Sequence, residues 1–313
     1  MSIERCNIES IDTLAFGATG EPRMSRVDLS DPLARAAQYI AGRQCQEGGF
    51  CVYRNVYLEE PNLSDTWHAL AAFKLLDVAV PRLNEVGGWL DSFNAASLYH
   101  NALHDWIFSK QLLDSTWTPD RQTRQRIVTL SLLPPKQEDA QLSSLKGLLR
   151  MARLKAAFAG IESAPEVVTW LHGLRHNGYG SKPNLQDTAL ALELLALLGA
   201  PDDTDETRRF VDASQSPYLG FNNTLDSRYC RLDIILAGVQ CCARLDLPVK
   251  HGNVIVSIVF AAQRGDGAFA DVPGSLATLE SHYNALLLLD VLMRLNPRAV
   301  QFRRQKEHGV HKP

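Results

Sequence analysis

Runs of like charge and long apolar stretches are both absent from the 313 residues. Basic side chains number 32 and acidic ones 35, a formal net charge of -3, which gives nucleic acid no electrostatic footprint and an anionic membrane no basic patch. No stretch reaches the roughly 18 apolar residues of a spanning helix. The opening residues, MSIERCNIESIDTLAF, carry an acid at once and no apolar signal core, so the expected location is cytoplasmic. Six cysteines show no regular spacing, which argues against a disulfide framework, and they read as free thiols. Cys241 and Cys242 are adjacent on a helical pattern and point about 100 degrees apart, unlike a zinc knuckle. G-x-x-x-x-G-K-[ST], G-x-S-x-G and H-E-x-x-H do not occur, so nucleotide, acyl-enzyme and zincin chemistry gain no support. Patterns of alternating strand residues are nearly absent.

What is present is a repeat. Four nonapeptides, NLSDTWHAL (62–70), NLQDTALAL (184–192), TLDSRYCRL (224–232) and TLESHYNAL (278–286), share a frame but differ at their third residue: Ser64, Gln186, Asp226, Glu280. The frame places apolar helices at about 65–77, 98–113, 143–158, 187–199, 227–244 and 281–295. Six more helical patterns with mixed charge alternate with them, at about 31–44, 80–93, 119–132, 164–175, 203–214 and 248–263. A helix apolar all round is buried and one with a polar face lies outside. Six hairpins with buried inner helices predict an all-α fold, an α6-α6 toroid in which six inner helices are ringed by six outer ones. The toroid is expected over 30–295, with an N-terminal extension at 1–29 and a polar tail at 296–313 that frays.

The loops entering the inner helices carry a second signature. Gln44 to Phe50 and Gln263 to Phe269 read Q-x3-G-x-F, Gln215 to Phe221 is a variant, and Asn177-Gly178-Tyr179-Gly180 is a weaker form. Glycine permits a tight turn and the aromatic plugs the seam between hairpins. Together with the N-L-x-D-T helix start, these loops resemble the repeat of the prenyltransferase and squalene oxidase superfamily, which includes squalene-hopene cyclases, class II diterpene cyclases and protein prenyltransferase β subunits. The resemblance covers about 30–295, although Phe stands where the cyclases have Trp.

In the class II cyclases a D-x-D-D motif occupies the nonapeptide register, and its middle Asp protonates an alkene or epoxide. Here that position is Gln186 in one repeat and Ser64 in another, while Asp65 and Asp187 at the next motif position read equally as helix caps. Asp226 and Glu280 hold carboxylates in the acid slot of consecutive inner helices. As neighbours in a low-dielectric cavity they would push one carboxyl upward and keep an acid protonated, with Arg228 and His282 tuning it; as plain caps they would be neutralised by those same two residues. The prenyltransferase β subunits hold zinc with an Asp, a Cys two residues on and a His of the next inner helix. Asp226 matches the Asp, but Arg228 takes the Cys position and Ser281 the His position, with His282 one residue late. Cys230, one turn below Asp226, leaves a zinc alternative open; the expectation is no metal and no cofactor.

Trp67, Tyr99, Trp106, Tyr229 and Tyr283 all fall on inner helices, where rings stabilise a carbocation or simply fill core. His68, His100 and His104 fall on the same lining, and Asp187 completes the expected substrate-binding set with His100. Asp202 to Asp205 reads as a helix cap. The leading expectation is an isoprenoid-processing enzyme resembling a protonation-initiated terpene cyclase, acting on an apolar small molecule in an apolar cavity. Its alternatives are a non-catalytic toroid that binds a lipid or peptide, and a zinc prenyltransferase-like subunit that needs an α partner.

Overall fold

A computed structural model describes residues 10–16, 22–28, 30–53, 59–135, 141–161, 164–202 and 204–295. The expected tail at 296–313 lies outside the described residues. Six helices form an inner ring: α2 (Leu63–Leu76), α4 (His100–Leu113), α6 (Gln141–Phe158), α8 (Leu185–Leu197), α10 (Leu232–Arg244) and α12 (Leu279–Leu295). Each packs on the next, and α12 returns to α2 to close the circle. Outside them lie α1 (Ser30–Ala41), α3 (Leu83–Asp91), α5 (Arg121–Thr129), α7 (Pro165–Gly173), α9 (Asp205–Ala213) and α11 (Gly252–Ala261), each packed on the inner helix that follows it in the chain. The expected toroid is therefore the fold.

The repeat loops act as the seams. In the first loop, Gln44 Nε2 donates to Gly48 O at 3.1 Å and to Pro81 O, at the approach to the next outer helix, at 3.0 Å. Gln215 does the same to Pro248 O at 3.0 Å. Gln263 donates to Pro32 O at 2.7 Å and so ties the last repeat to the first outer helix. Gly48 and Gly267 adopt φ of 108° and 91°. A Cβ at either would lie 2.2 Å from Glu85 O or 2.3 Å from Arg35 O, so only glycine admits the neighbouring outer helix.

All four loop aromatics are fully buried, and in three of the loops the aromatic's N–H is satisfied by the helix beneath it, whereas Phe221 N–H turns to Leu219 O at 2.8 Å. Phe50 donates to Thr66 Oγ1 at 3.0 Å, Tyr179 to Thr188 Oγ1 at 3.0 Å and Phe269 to His282 Nδ1 at 3.1 Å. Helix starts follow the N-L-x-D-T frame where it is complete. Asn62 accepts from Asp65 N–H at 2.8 Å, and Asn184 from Asp187 N–H at 2.9 Å.

Two expectations need correction. The near absence of strand patterns does not hold in the segment without the repeat, where β1 (Ser10–Phe16) and β2 (Pro22–Asp28) pair antiparallel from Ser10↔Asp28 to Phe16↔Pro22, and β1 lies against α11. The fifth inner helix also begins at Leu232, not near 227. Its apolar run starts there, and 222–231 is a loop.

Candidate active site in the toroid cavity

Between the inner helices lies a cavity of about 660 Å³, within the usual range of small-molecule sites. Its lining comes from all six inner helices and from the loops that enter α10 and α12, and the first turns of the inner helices bring the positive ends of their dipoles to one mouth. Because Leu63, Leu185, Leu232 and Leu279 are the first residues of their helices, the residues that follow them are Ser64, Gln186, Asp233 and Glu280. The third residue of the nonapeptide lines the cavity at Gln186 and Glu280, as expected, but Ser64 does not, and in the fifth repeat the position is Asp233. The frame of the fifth repeat therefore begins at Arg231, seven residues after Thr224.

That register corrects several expectations. Asp226 lies in an exposed loop, bound to Thr224 Oγ1 at 2.7 Å and Lys182 Nζ at 3.2 Å, and those partners hold its carboxyl below the usual range. Arg228 and Tyr229 share the loop, with Tyr229 77% exposed. Asp226 and Glu280 therefore do not pair. His282 is fully buried on the outer side of α12, stacked on Tyr39 at 5.3 Å, and is used by Phe269 N–H. Burial drives its pKa down to about 3. It does not border the cavity, and Thr66 and Thr188 fill its role in other repeats.

Among the aromatics, Trp67 and Tyr283 line the cavity, edge to face at 5.3 Å. Tyr99 precedes α4 and is 85% exposed. Trp106 donates to Leu90 O at 2.7 Å and packs on Trp117, away from the cavity. His100 sits half-buried near Gly147 of α6 and is not in the lining. Asp187 caps α8 together with Asn184, and burial pushes its carboxyl up.

The lining itself is not apolar, contrary to expectation. Asp233 accepts from Gln186 Nε2 at 2.9 Å and from Arg231 Nη2 at 2.8 Å. The same Arg231 atom lies 2.6 Å from Asp271 Oδ2. Asp271 comes from the loop before α12 and caps α10: its backbone O accepts from Leu232 N–H at 3.0 Å and its Oδ1 from Asp233 N–H at 3.2 Å. Asn223 caps α8 in the same way, by O and Oδ1, so an uncharged side chain suffices for that task. Burial first, and then the Asp233 carboxylate, push Asp271 up; Arg231 and the Asp233 N–H pull against them, and Glu280 adds to the rise.

Facing this acidic wall, α6 presents Lys146, Arg150 and Arg153 along one stripe. Lys146 reaches Glu280 at 3.6 Å across the mouth, from the opposite side of the ring. Arg150 lies 3.6 Å from Asp105, and Arg153 2.6 Å from Glu193. His104 donates Nδ1–H to Asp105 at 2.9 Å, and His68 donates Nδ1–H to Ser64 O at 2.7 Å. Both imidazoles border the cavity and flank Trp67, at 5.7 Å and 4.6 Å, and burial lowers both.

The sequence model of the prenyltransferase alpha-alpha toroid domain matches residues 14–118 and 126–310. The chain belongs to this family. A search of curated proteins finds no match. Membership supports an isoprenoid-related function in general terms. Zinc, held by the β-subunit branch of the superfamily, does not fit the residues matched to it. Asp226 is exposed, His282 is buried away from the cavity with Nδ1 occupied, and the half-buried Cys230 thiol lies against Leu219 O at 3.9 Å. Among the described residues no three His, Cys, Asp or Glu side chains gather as a metal site. No helix among the described residues is long and apolar enough to cross a membrane.

Proposed function

We propose that this toroid is an isoprenoid-processing enzyme whose reaction begins by protonating a carbon–carbon double bond, with Asp271 as the acid. The observation that carries this reading is the shared guanidinium: a partly buried carboxyl, raised first by burial and then by a neighbouring carboxylate, borders the cavity. In the first step the Asp271 O–H bond breaks and the π electrons of the alkene take the proton, leaving a tertiary carbocation. A second double bond of the same chain attacks that centre and closes a ring. Loss of a proton from carbon ends the sequence, and the carboxylate is reprotonated from solvent. Trp67 and Tyr283 offer ring faces to the cation, each worth about 2 kcal/mol when desolvated. His68 and His104, kept neutral by burial, add no opposing charge.

The ionic lining favours a substrate with a charged head over a pure hydrocarbon. Lys146, Arg150, Arg153 and six helix N-termini suit a prenyl diphosphate, retained intact while the distal alkene reacts. Charged walls also suit a bound peptide, the second reading. Incubation with prenyl diphosphates of several lengths and with squalene, with and without EDTA, separates them by mass spectrometry. A cyclic diphosphate formed in EDTA, at a rate that Asp271→Asn lowers by roughly 10²–10⁴-fold, supports protonation. Recovery of every isoprenoid unchanged, with none of them bound, would remove this reading.

A further inference from the structure

We propose that Cys45 and Cys51 are a reversible disulfide site, formed by a small peroxide, that locks the first repeat loop, itself hydrogen-bonded to the start of α2. Their sulfurs lie 3.1 Å apart. The Cys45 thiol donates to Cys51 Sγ, and the Cys51 thiol donates to Tyr53 O at 3.2 Å. The backbone holds the two side chains together. They flank the Gln44–Phe50 bridge, with Cys45 N–H on Gly49 O at 2.8 Å and Cys51 N–H on Arg43 O at 3.1 Å. A disulfide needs its sulfurs about 2.0 Å apart, so closure asks for roughly 1 Å of movement within a turn already closed by hydrogen bonds.

The other described cysteines lack such an arrangement. Cys241 and Cys242 diverge around α10, and burial pushes both thiols up, Cys242 to about 12. Burial also raises Cys230.

The chemistry balances with hydrogen peroxide as oxidant. One thiolate sulfur attacks a peroxide oxygen and the O–O bond breaks, giving a sulfenic acid and hydroxide that takes up the thiol proton as water. The second sulfur then attacks the sulfenyl sulfur, the S–O bond breaks, and the departing hydroxide leaves with the second thiol proton as another water. Two thiols and one peroxide become one disulfide and two waters. A dithiol reductant reverses the bond by exchange.

The loop is already coupled to the cavity. Phe50 N–H donates to Thr66 Oγ1 and Val52 N–H to Asp65 Oδ2, both at 3.0 Å, within the turn that aims Trp67 and His68 inward. Oxidation also removes the thiol proton that Tyr53 O accepts.

The test treats the full chain, natively folded and reduced, with hydrogen peroxide, then denatures and alkylates it. The expected peptide contains Cys45 and Cys51 unalkylated and lighter by two hydrogen atoms, recovers both alkyl groups after dithiothreitol, and comes with Cys241 and Cys242 alkylated throughout. Amide exchange at residues 50, 52 and 62–66 should slow on oxidation. Full alkylation of Cys45 and Cys51, separate conversion of each to sulfinic acid, or bridging of either to Cys6 or Cys230 would each overturn the site. Unchanged exchange at those amides would overturn the link to α2. Both readouts use the wild-type chain, so they do not depend on whether a Cys51→Ser variant folds.

Discussion

Asp233 and Asp271 meet on one guanidinium: Arg231 Nη2 stands 2.8 Å from the first carboxylate and 2.6 Å from the second. One cation between two acids sets how readily the site holds a proton. Arg231→Gln removes the pull that opposes the rise of Asp271, so the donor stays protonated to higher pH and the alkaline limb of the rate profile should move up. Asp233→Asn removes a like charge and should move that limb down. Rates measured from pH 5 to 9 on both variants test this; shifts in the same direction would contradict the shared-guanidinium arrangement.

Asp226 and Asp271 are both Asp residues in loops that precede inner helices, yet their substitutions should differ sharply. Asp226→Asn breaks an exposed, solvent-screened pair with Lys182 and should leave both stability and turnover essentially unchanged. Asp271→Asn preserves a cap that Asn223 already provides elsewhere, and should lower turnover by roughly 10²–10⁴-fold while the protein stays folded. Urea melts beside product yields separate these outcomes, and equal yields from both variants would count against Asp271.

His282 has a structural task that threonine performs in two other repeats. His282→Ala leaves the buried Phe269 N–H unpaired, worth about 1–3 kcal/mol, and opens a cavity beside Tyr39. His282→Thr restores an acceptor and should be about 1 kcal/mol more stable than the alanine variant. The pH dependence has a definite sign. The folded pKa of about 3 lies below the ordinary imidazole value of 6.5, so between those values the unfolded chain binds the extra proton and stability falls as pH falls. The threonine variant should therefore lose stability less steeply than wild type from pH 6.5 downward; an identical slope in denaturation melts would show that His282 does not titrate this way.

Gln263 closes the ring. Its Nε2 bridges Pro32 O and Gly267 O, contacts that Gln263→Ala removes at a cost of about 1–3 kcal/mol. Amide exchange should rise in α1 and α11 together, and a rise confined to α11 would contradict a seam shared by the first and last hairpins.

The fold was legible because its instructions are local and repeated. Asn62 and Asn184 announce their helices, and Gln44 and Gln263 announce their seams. The site was less legible because its decisive contacts are tertiary. Arg231 gives α10 no side-chain cap; that service comes from Asp271, 38 residues away from Asp233. The apolar run beginning at Leu232 did mark the true start, whereas TLDSRYCRL matched the frame without any apolar periodicity to support it. The charged wall escaped for a related reason: Lys146, Arg150 and Arg153 look like a solvated face until the ring places their carboxylate partners on α12, α4 and α8.

The most direct measurement of protonation inside this cavity is turnover of a prenyl diphosphate in D2O. A proton delivered from Asp271 to carbon should place one deuterium in the cyclic product, with the diphosphate retained, and Asp271→Asn should form that product roughly 10²–10⁴-fold more slowly. A cyclic product without deuterium, or one formed with release of diphosphate, would contradict protonation by Asp271.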